Sequence, residues 1–506
     1  MKNLLLADKA PGGLKPKVSC NTMKHIQSIK VEKTTAPSSK NGLINALHRE
    51  TSYGVTENGA LTFTESGSNL VDFFAQAGAM RKNPSKAFDL FKRAFSEDAQ
   101  VAIRILFYLR DVRGGQGERA LFRTCLEWLG DNERKVYEAV VEHVPEYGRW
   151  DDLFFDDAKA FEVIKTQFVK DVKSETPSLL AKWLPTMNAS SPTTRAKARV
   201  IARGFEMCDM EYRQTVRDLR KKIKTVEEKM SAQEWGEIDY SSVPSQASRI
   251  YKNAFAKHDE KRYLDFVEKA VKGEVKINAG TLYPYQIFNS VEDNYSETLE
   301  ALWNQLPDYT QGKNALVVAD TSGSMCGDPM SVSVSLALYF AERNKGQFKN
   351  YFITFSCQPK LQHIQGKTLK QKMATIQTGE ISNTDLSRVF NLILNTALRN
   401  QTPQDEMPDT IYIISDMEFD SCATGLTHID DIKLKYTQAG YKIPTVVFWN
   451  VDARSGKNLP ARADEVDVAL VSGFSPSIFK LAVENKTPQE VMLETVNSER
   501  YARIVL

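Results

Sequence analysis

Asp320, Ser322 and Ser324 stand at alternating positions directly after the apolar run Ala315 to Ala319. Alternating residues of an extended loop can point to one side, so one carboxylate and two hydroxyls can reach a single centre. A small set of hard oxygen ligands suits Mg²⁺ with retained water molecules, and it also accommodates Mn²⁺ or Ca²⁺. Gly323 allows the loop to bend tightly. The alternative interpretation is a turn that caps the following helix, because Asp and Ser favour such positions.

Two further segments supply oxygen ligands in the same part of the chain. Asp416 follows a second apolar run, Ile411 to Ile414, and Thr384 lies between the two runs at the start of a predicted helix. Ligand sites in open α/β sheets lie at the carboxyl ends of the strands. The order and spacing therefore predict a metal site formed by Asp320, Ser322, Ser324, Thr384 and Asp416.

The elements that must position these side chains form an α/β pattern from residue 312 to 506. Short, fully apolar and β-rich runs alternate with helical stretches, which predicts a parallel sheet covered on both faces. The predicted strands are Ala315 to Ala319, Tyr351 to Phe355, Ile411 to Ile414 and Thr445 to Trp449, with helices at Ser331 to Arg343 and Asp385 to Leu398.

Before this region, residues 43–311 show apolar residues at helical spacing in one segment after another, as in Leu121, Phe122, Cys125 and Leu129. Short turns separate the segments, so we predict an all-helical domain of stacked helix pairs, a solenoid or an irregular bundle. Residues 1–42 mix Pro, Gly, Ser and Lys with little periodicity and are predicted to be a flexible leader.

Composition excludes several classes of protein. The chain has 506 residues, 42% hydrophobic and 26% charged, which is typical of a globular protein with large cores. No run of 18 apolar residues occurs, so neither membrane insertion nor a membrane partner is expected. The six cysteines lack Cys-x-x-Cys pairs. We therefore expect a cytoplasmic protein with reduced thiols, and a monomer.

Local charge matters because the net charge is only +2. Between residues 195 and 224, ten Lys or Arg stand against four Asp or Glu. Basic side chains along helices can neutralise the phosphates of a nucleic acid. The alternative is a mixed charged surface that is merely solvated. The candidate RNA-binding residues are Arg195, Lys197, Arg199, Arg203, Arg213, Arg217, Arg220, Lys221, Lys222 and Lys224.

Catalytic and nucleotide-binding motifs are lacking. The loop Arg113 to Arg119 contains three glycines, but no Gly-Lys-Ser or Gly-Lys-Thr follows, which favours a turn between helices over a phosphate loop. The six histidines show no metal-ligand spacing, and Ser322 lacks a Gly-x-Ser-x-Gly elbow. We therefore predict that the protein is not an enzyme.

The loops around Asp320, Thr384 and Asp416 resemble the metal-ion-dependent adhesion site of the von Willebrand factor A domain. That resemblance implies a Rossmann-like parallel sheet. It also implies that Ser322 and Ser324 bind the ion directly, that the other three ligands bind it directly or through water, and that one coordination position stays open for an acidic oxygen.

A helical half followed by such a domain resembles the Ro (TROVE) ribonucleoprotein family, in which HEAT-like helical repeats close into a ring. An uncharacterised branch in bacteria, phages and plants has the same layout. The likeness is carried by Tyr108 to Arg119, Gly148 to Leu153, Ala181 to Pro185, Tyr240 to Pro244 and Ile277 to Pro284.

Two functions follow as expectations. The first is a non-catalytic, Ro-like protein that binds a small structured RNA through its helical half and holds Mg²⁺ in its α/β half. The second is an adaptor whose metal site accepts an Asp or Glu of a partner protein, with the helical half as a scaffold.

Overall fold

The computed structural model describes residues 52–355, 358–376, 385–422, 424–454 and 456–506. The predicted leader, residues 1–42, lies outside these described residues. Residues 52–506 form one compact unit, in which a helix-rich N-terminal half is followed by a C-terminal half built on a mixed sheet. Among the described residues, no helix is both long and apolar enough to cross a membrane.

The N-terminal half consists mainly of amphipathic helices that bury one face and are punctuated by capping residues. Asp98 and Asp157, for example, accept backbone N–H groups at the starts of two of them, as Asp does at many helix starts. The helices are α1 (Asn69–Gln76), α2 (Pro84–Glu97), α3 (Ala99–Arg110), α4 (Ala120–Asn132), α5 (Arg134–Val140), α6 (Val144–Tyr147), α7 (Ala158–Lys173), α8 (Leu180–Trp183), α9 (Pro192–Gly204), α10 (Asp209–Ile223), α11 (Val226–Ala232), α12 (Ser245–His258), α13 (Glu260–Val271), α14 (Pro284–Asn294) and α15 (Glu297–Asn304).

This half is not entirely helical, in contrast to the prediction. A hairpin of β1 (Tyr53–Val55) and β2 (Leu61–Phe63) precedes α1. Phe63 and Leu459 exchange two backbone hydrogen bonds of 3.0 Å. The hairpin therefore pairs with a segment of the C-terminal half and is not part of the helical stack.

The C-terminal half contains a six-stranded sheet in the order β5-β4-β3-β6-β7-β8. The strands are β3 (Ala315–Asp320), β4 (Tyr351–Phe355), β5 (Lys360–His363), β6 (Thr410–Ser415), β7 (Thr445–Asn450) and β8 (Val468–Ser472). The helices are α16 (Asp328–Arg343), α17 (Leu369–Thr375), α18 (Leu386–Asn400), α19 (His428–Ala439) and α20 (Pro488–Val496).

The prediction of a fully parallel sheet is wrong at one edge, where β5 runs antiparallel to β4. The other neighbours are parallel, and β3, β7 and β8 are buried along their whole length. β5 begins only five positions after β4 ends, and antiparallel neighbours need no crossover helix.

Both ends of the helical half pack against the sheet half. At the start, α1 packs on β8, and at the end, α14 packs on α16. The C-terminal helix α20 returns to α3, so the chain closes on itself. One continuous core includes Phe73 of α1, Leu106 of α3 and Trp449 of β7, all fully buried.

Candidate metal site

The sheet places the two predicted acidic ligands side by side. β3 and β6 are parallel neighbours with Ala319 opposite Ile414. Asp320 is the last residue of β3, and Asp416 is the first residue after β6. Parallel strands end at the same edge of the sheet, so both carboxylates lie at its carboxyl edge.

Asp320 is fully buried and organises the loop that follows it. Its Oδ1 accepts the backbone N–H of Ser322 at 2.9 Å, and its Oδ2 accepts the hydroxyl of Ser415 at 2.6 Å. The hydroxyl oxygens of Ser322 and Ser324 lie 2.9 Å apart. The alternating spacing therefore does bring the two serine hydroxyls together, and Ser322 is also hydrogen-bonded to the Asp320 carboxylate.

A single hydroxyl connects the two acids. Ser415 Oγ lies 2.6 Å from Asp320 Oδ2 and 3.5 Å from Asp416 Oδ1. The Asp416 side chain is also fully buried, and its Oδ1 accepts the backbone N–H of Glu418 at 3.2 Å. Two carboxylates thus flank one small group inside the protein.

The electrostatics of this pair favour a cation. Burial, together with the negative charge of Asp416, raises the pKa of Asp320 to about 7, and the hydrogen bonds from Ser415 and Ser322 only partly oppose this shift. An ionised carboxylate in such a place is short of positive charge. A divalent ion bound between the loops would supply it.

These side chains do not cap a helix, which was the alternative interpretation. The cap of α16 is Gly327, without a side-chain hydrogen bond, and the Asp320 carboxylate points toward Ser415 instead. The described residues contain no group of three or more His, Cys, Asp or Glu that could hold an ion. A metal site built from the described residues of this region would therefore combine hydroxyl oxygens with carboxylates.

Thr384, the fifth predicted ligand, lies outside the described residues. Its neighbour Asp385 is described and caps α18, accepting the backbone N–H of Arg388 at 3.1 Å. Asp385 also pairs with the Arg388 guanidinium at 2.9 Å. Its carboxylate is therefore occupied within its own helix.

Arg454, which the sequence predictions missed, forms an ion pair with Asp416. Its Nη2 donates to Asp416 Oδ2 at 2.5 Å, and its Nη1 lies 3.7 Å from Glu57 of the N-terminal hairpin. Asp416 thus uses Oδ2 for Arg454 and turns Oδ1 toward Ser415. The signal in the sequence is its position in the loop after β7, at the same sheet edge.

The tip of the hairpin covers part of this edge. Thr56 Oγ1 donates to the carbonyl of Phe419 at 2.6 Å, and the backbone N–H of Glu57 donates to Glu418 Oε2 at 2.8 Å. Burial raises the pKa of Glu418. Its other carboxylate oxygen, Oε1, is buried without a hydrogen-bond partner among the described residues. The buried carboxylates at this edge thus have fewer positively charged and hydrogen-bonding partners among the described residues than they can accept.

The predicted RNA-binding residues separate into two groups by their contacts. Six of the ten are engaged within the protein: four donate to backbone carbonyls, and two pair with exposed acids of their own surface. The residues that donate to backbone carbonyls are Arg195, Lys197, Arg220 and Lys222. Arg199 pairs with Asp209, and Arg217 pairs with Asp218.

The other four, Arg203, Arg213, Lys221 and Lys224, are exposed. Their side chains make no hydrogen bond or ion pair with any residue in the described ranges. Arg213, Arg217 and Lys221 are four residues apart on α10, so they point to one side of it, and Lys224 follows as its C-cap. We call Arg213, Arg217, Lys221 and Lys224 the α10 basic stripe, which spans about 16 Å of helix.

The centre of the glycine-rich loop of residues 113–119 packs inside the protein, as expected for a turn between helices. The Gln116 side chain is fully buried, donates to the Tyr108 hydroxyl at 2.7 Å and accepts the backbone N–H of Ser475 at 3.2 Å. Glu118 pairs with Arg81 at 2.5 Å. The loop therefore joins the helical half to the segment that follows β8.

Neighbouring motifs act in the same way. Asp111 is buried and accepts two hydrogen bonds from Arg500, at 2.8 and 3.0 Å, which ties the C-terminal end to α3. Arg110 pairs with Asp152 at 2.6 Å, with both side chains buried. Within the stretches Tyr108 to Arg119 and Gly148 to Leu153, on which the resemblance to the Ro family partly rests, these charged residues thus form structural ion pairs.

Two family models match the chain. One, a domain of unknown function (DUF2828), covers residues 56–144 and 181–319. The other, also a domain of unknown function (DUF7788), covers residues 314–503. Neither description names an activity.

Among curated proteins, the chain is similar to an uncharacterized protein of Acanthamoeba polyphaga mimivirus. The two are 27% identical over 502 residues, which covers 87% of this chain and 86% of the viral protein. Among solved structures, the chain is similar to the Deinococcus radiodurans RO (RSR) protein, with 12% identity, a TM-score of 0.31, and coverage of 85% of this chain and 99% of that chain. A TM-score of this size does not establish a shared fold.

Proposed function

We propose that this protein is a non-catalytic RNA-binding protein that holds Mg²⁺ at the carboxyl edge of its sheet, in a site like the metal-ion-dependent adhesion site of von Willebrand A domains. The observation that carries the metal part is the buried Asp320, Ser415 and Asp416 arrangement beside two adjoining serine hydroxyls.

Mg²⁺ fits this set of side chains better than a soft metal ion does. The groups at the edge are carboxylate and hydroxyl oxygens, which hard cations prefer, and the site offers few protein ligands, so water completes the shell. Ser322 and Ser324 would bind the ion directly, and Asp320 and Asp416 would bind it directly or through water. Thr384 completes the proposed set.

RNA binding is proposed from the α10 basic stripe. Its four cations lie on the outside of the protein, and three of them are free of ion pairs within the described ranges. The exception, Arg217, pairs with Asp218 on a surface where both side chains are about three-fifths exposed, at 62% and 61%. Such a pair contributes little and yields readily to a phosphate.

RNA binding is tested with the full chain and a fluorescently labelled RNA stem-loop. Changing the four stripe residues to Glu is expected to weaken binding by at least about 10-fold at low salt, since each residue then repels a phosphate. The matched control changes four exposed lysines without partners in the described ranges, Lys135, Lys257, Lys261 and Lys276, to Glu. Equal losses in the two variants, or no binding by the unaltered chain, would contradict the proposal.

An adaptor is the second candidate, favoured by the accessibility of the metal loop. Gly323, Cys326 and Gly327 are exposed, and Ser324 is half-buried, so an acidic side chain of another protein could reach a bound ion. In pull-downs from cell extract, partners that depend on this ion are lost with EDTA and with Ser322→Ala. A partner list that neither treatment changes would remove this candidate.

A further inference from the structure

A cysteine and a histidine form a hydrogen-bonded pair in the segment that joins β6 to α19. Cys422 Sγ lies 3.1 Å from Nδ1 of His428. Both residues are largely buried, with 8% and 3% of their surfaces exposed. Neither residue belongs to the proposed metal site or to the α10 basic stripe.

The second ring nitrogen fixes the roles in this pair. His428 Nε2 lies 2.9 Å from the carbonyl oxygen of Asp420. A carbonyl oxygen only accepts, so Nε2 carries the hydrogen and Nδ1 presents its lone pair to the thiol. The thiol therefore donates its S–H to Nδ1, the arrangement in which an imidazole can take up the proton of a nucleophile.

At rest the pair is neutral. Burial raises the pKa of the Cys422 thiol, and burial lowers the pKa of His428. The charged groups nearby are Asp431, Lys435 and Asp385, and Lys435 pairs with Asp431 at 2.7 Å. A thiolate therefore forms only as the sulfur reacts, while His428 takes the proton.

A neighbouring hydroxyl and two helix starts partly offset the cost of that negative charge, which burial and the carboxylates of Asp431 and Asp385 increase. Ser387, near the start of α18, places its hydroxyl 3.4 Å from Cys422 Sγ and 3.2 Å from Asp431 Oδ2. His428 is the first residue of α19, so two helix starts border the thiol. The partial positive charge of a helix start stabilises a thiolate.

Cys422 lies in a segment that reaches the protein surface. Ser421 and Thr424, on either side in the chain, are exposed. By contrast, Cys125 is fully buried in α4, burial alone raises the pKa of its thiol, and no basic side chain of the described ranges is hydrogen-bonded to it. Cys208 and Cys326 are exposed. The chain thus contains its own reference thiols.

We propose that Cys422 is a base-assisted reactive thiol and a site of oxidation by hydrogen peroxide. As the sulfur attacks one peroxide oxygen, His428 Nδ1 takes the thiol proton and the O–O bond breaks. The sulfur is oxidised by two electrons to a sulfenic acid, and the peroxide is reduced. The leaving oxygen takes the proton from the imidazolium and departs as water. This is a stoichiometric modification of the protein and is independent of metal and RNA binding.

The test follows each thiol of the folded full chain during exposure to hydrogen peroxide. Samples are quenched with catalase, unfolded in N-ethylmaleimide and measured by peptide mass spectrometry. We expect Cys422 to oxidise at least about 10-fold faster than Cys125, since general-base assistance contributes factors of this size or more. Dimedone present during the exposure should form an adduct at Cys422. Oxidation of Cys422 no faster than that of Cys125 would overturn the proposal.

The role of His428 is tested with His428→Gln, which can still donate to the Asp420 carbonyl. We expect the oxidation of Cys422 to slow by at least about 10-fold, while Cys208 and Cys326 keep their rates. An unchanged rate at Cys422 would contradict base assistance. If Cys125 becomes reactive in this variant, the substitution has loosened the fold. The proposal is then tested by the comparison of Cys422 with Cys125 in the unaltered chain.

Discussion

Replacing Arg454 by Gln tests how charge is balanced at the sheet edge. The Arg454 guanidinium lies 2.5 Å from Asp416 Oδ2, and the Asp416 side chain is fully buried. Asp320 and Asp416 face the same small space around Ser415. In Arg454→Gln, Asp416 loses the cation that contacts it, and a divalent ion bound between the two carboxylates would replace that positive charge.

The expected cost depends on the exposure of the arginine. Removing one partner of a fully buried ion pair costs about 3–5 kcal/mol. Because 34% of the Arg454 side chain is exposed, water already screens the pair, and we expect a loss of about 1–3 kcal/mol in EDTA. With saturating Mg²⁺ the loss should fall below about 1 kcal/mol, because the ion neutralises the same carboxylates. By linkage, the variant should bind Mg²⁺ more tightly, by about 5- to 30-fold.

The assay is urea unfolding followed by tryptophan fluorescence, in EDTA and in Mg²⁺. Arg500→Gln is the matched control: Arg500 is 33% exposed and holds a fully buried carboxylate, Asp111, in another part of the molecule. Its loss should be the same in both buffers. An equal loss of stability for Arg454→Gln in EDTA and in Mg²⁺ would refute a role for the ion in balancing the charge of Asp416.

Three further outcomes are expected. Burial raises the pKa of Asp72 in α1 to about 6, against 3.8 for an ordinary Asp, so the folded state holds its proton longer and stability falls as pH rises from about 4 to 6. Asp72→Asn should therefore gain up to about 3 kcal/mol over the natural chain by pH 7.5 in urea unfolding, and a difference that does not change with pH would contradict this. Gly115→Ala should lower the melting temperature through a loss of about 1–3 kcal/mol in unfolding free energy, because the new Cβ would lie 1.8 Å from the Tyr108 carbonyl oxygen. The control, Gly236→Ala, places its Cβ where nothing lies within 4 Å and should be near neutral. Equal effects of the two substitutions would contradict this prediction. Changing the α10 basic stripe to Gln should make the plot of log affinity for RNA against log salt shallower by about 3, and an unchanged slope would exclude the stripe from the interface.

The strands and the acidic pair could be predicted because their signals are local. Apolar runs marked β3, β4, β6 and β7, and parallel pairing then fixed that Asp320 and Asp416 end at one edge. The run at β8 is equally apolar, so its signal was present in the sequence although it was not assigned.

Other features depend on contacts between distant segments, which leave no local pattern. Strand β5 is an edge strand with three of its four residues exposed, so it shows no apolar run. Hairpin β1 and β2 is held by Leu459, nearly 400 positions further along the chain. Arg454 reaches Asp416 from the loop after a different strand. Such partners follow from the topology, which the spacing of apolar residues does not specify.

Contacts within the protein separate the ten predicted RNA-binding residues in a way that charge alone could not. Arg220 and Lys222 belong to the same basic run as Lys221, yet both bind backbone carbonyls of a neighbouring segment. The helical periodicity of α10 turns Arg220 toward α8, while Lys221 faces outward. A count of charges therefore overestimates the cations available to a phosphate.

A titration with Mn²⁺, followed by electron paramagnetic resonance, tests the central claim most directly, since free and bound Mn²⁺ give different signals. The account predicts one saturable site per chain, competed by Mg²⁺ and lost when Ser322 and Ser324 are both changed to Ala, with the melting temperature in EDTA nearly unchanged. Absence of a saturable site, or a site that survives the double substitution, would contradict it.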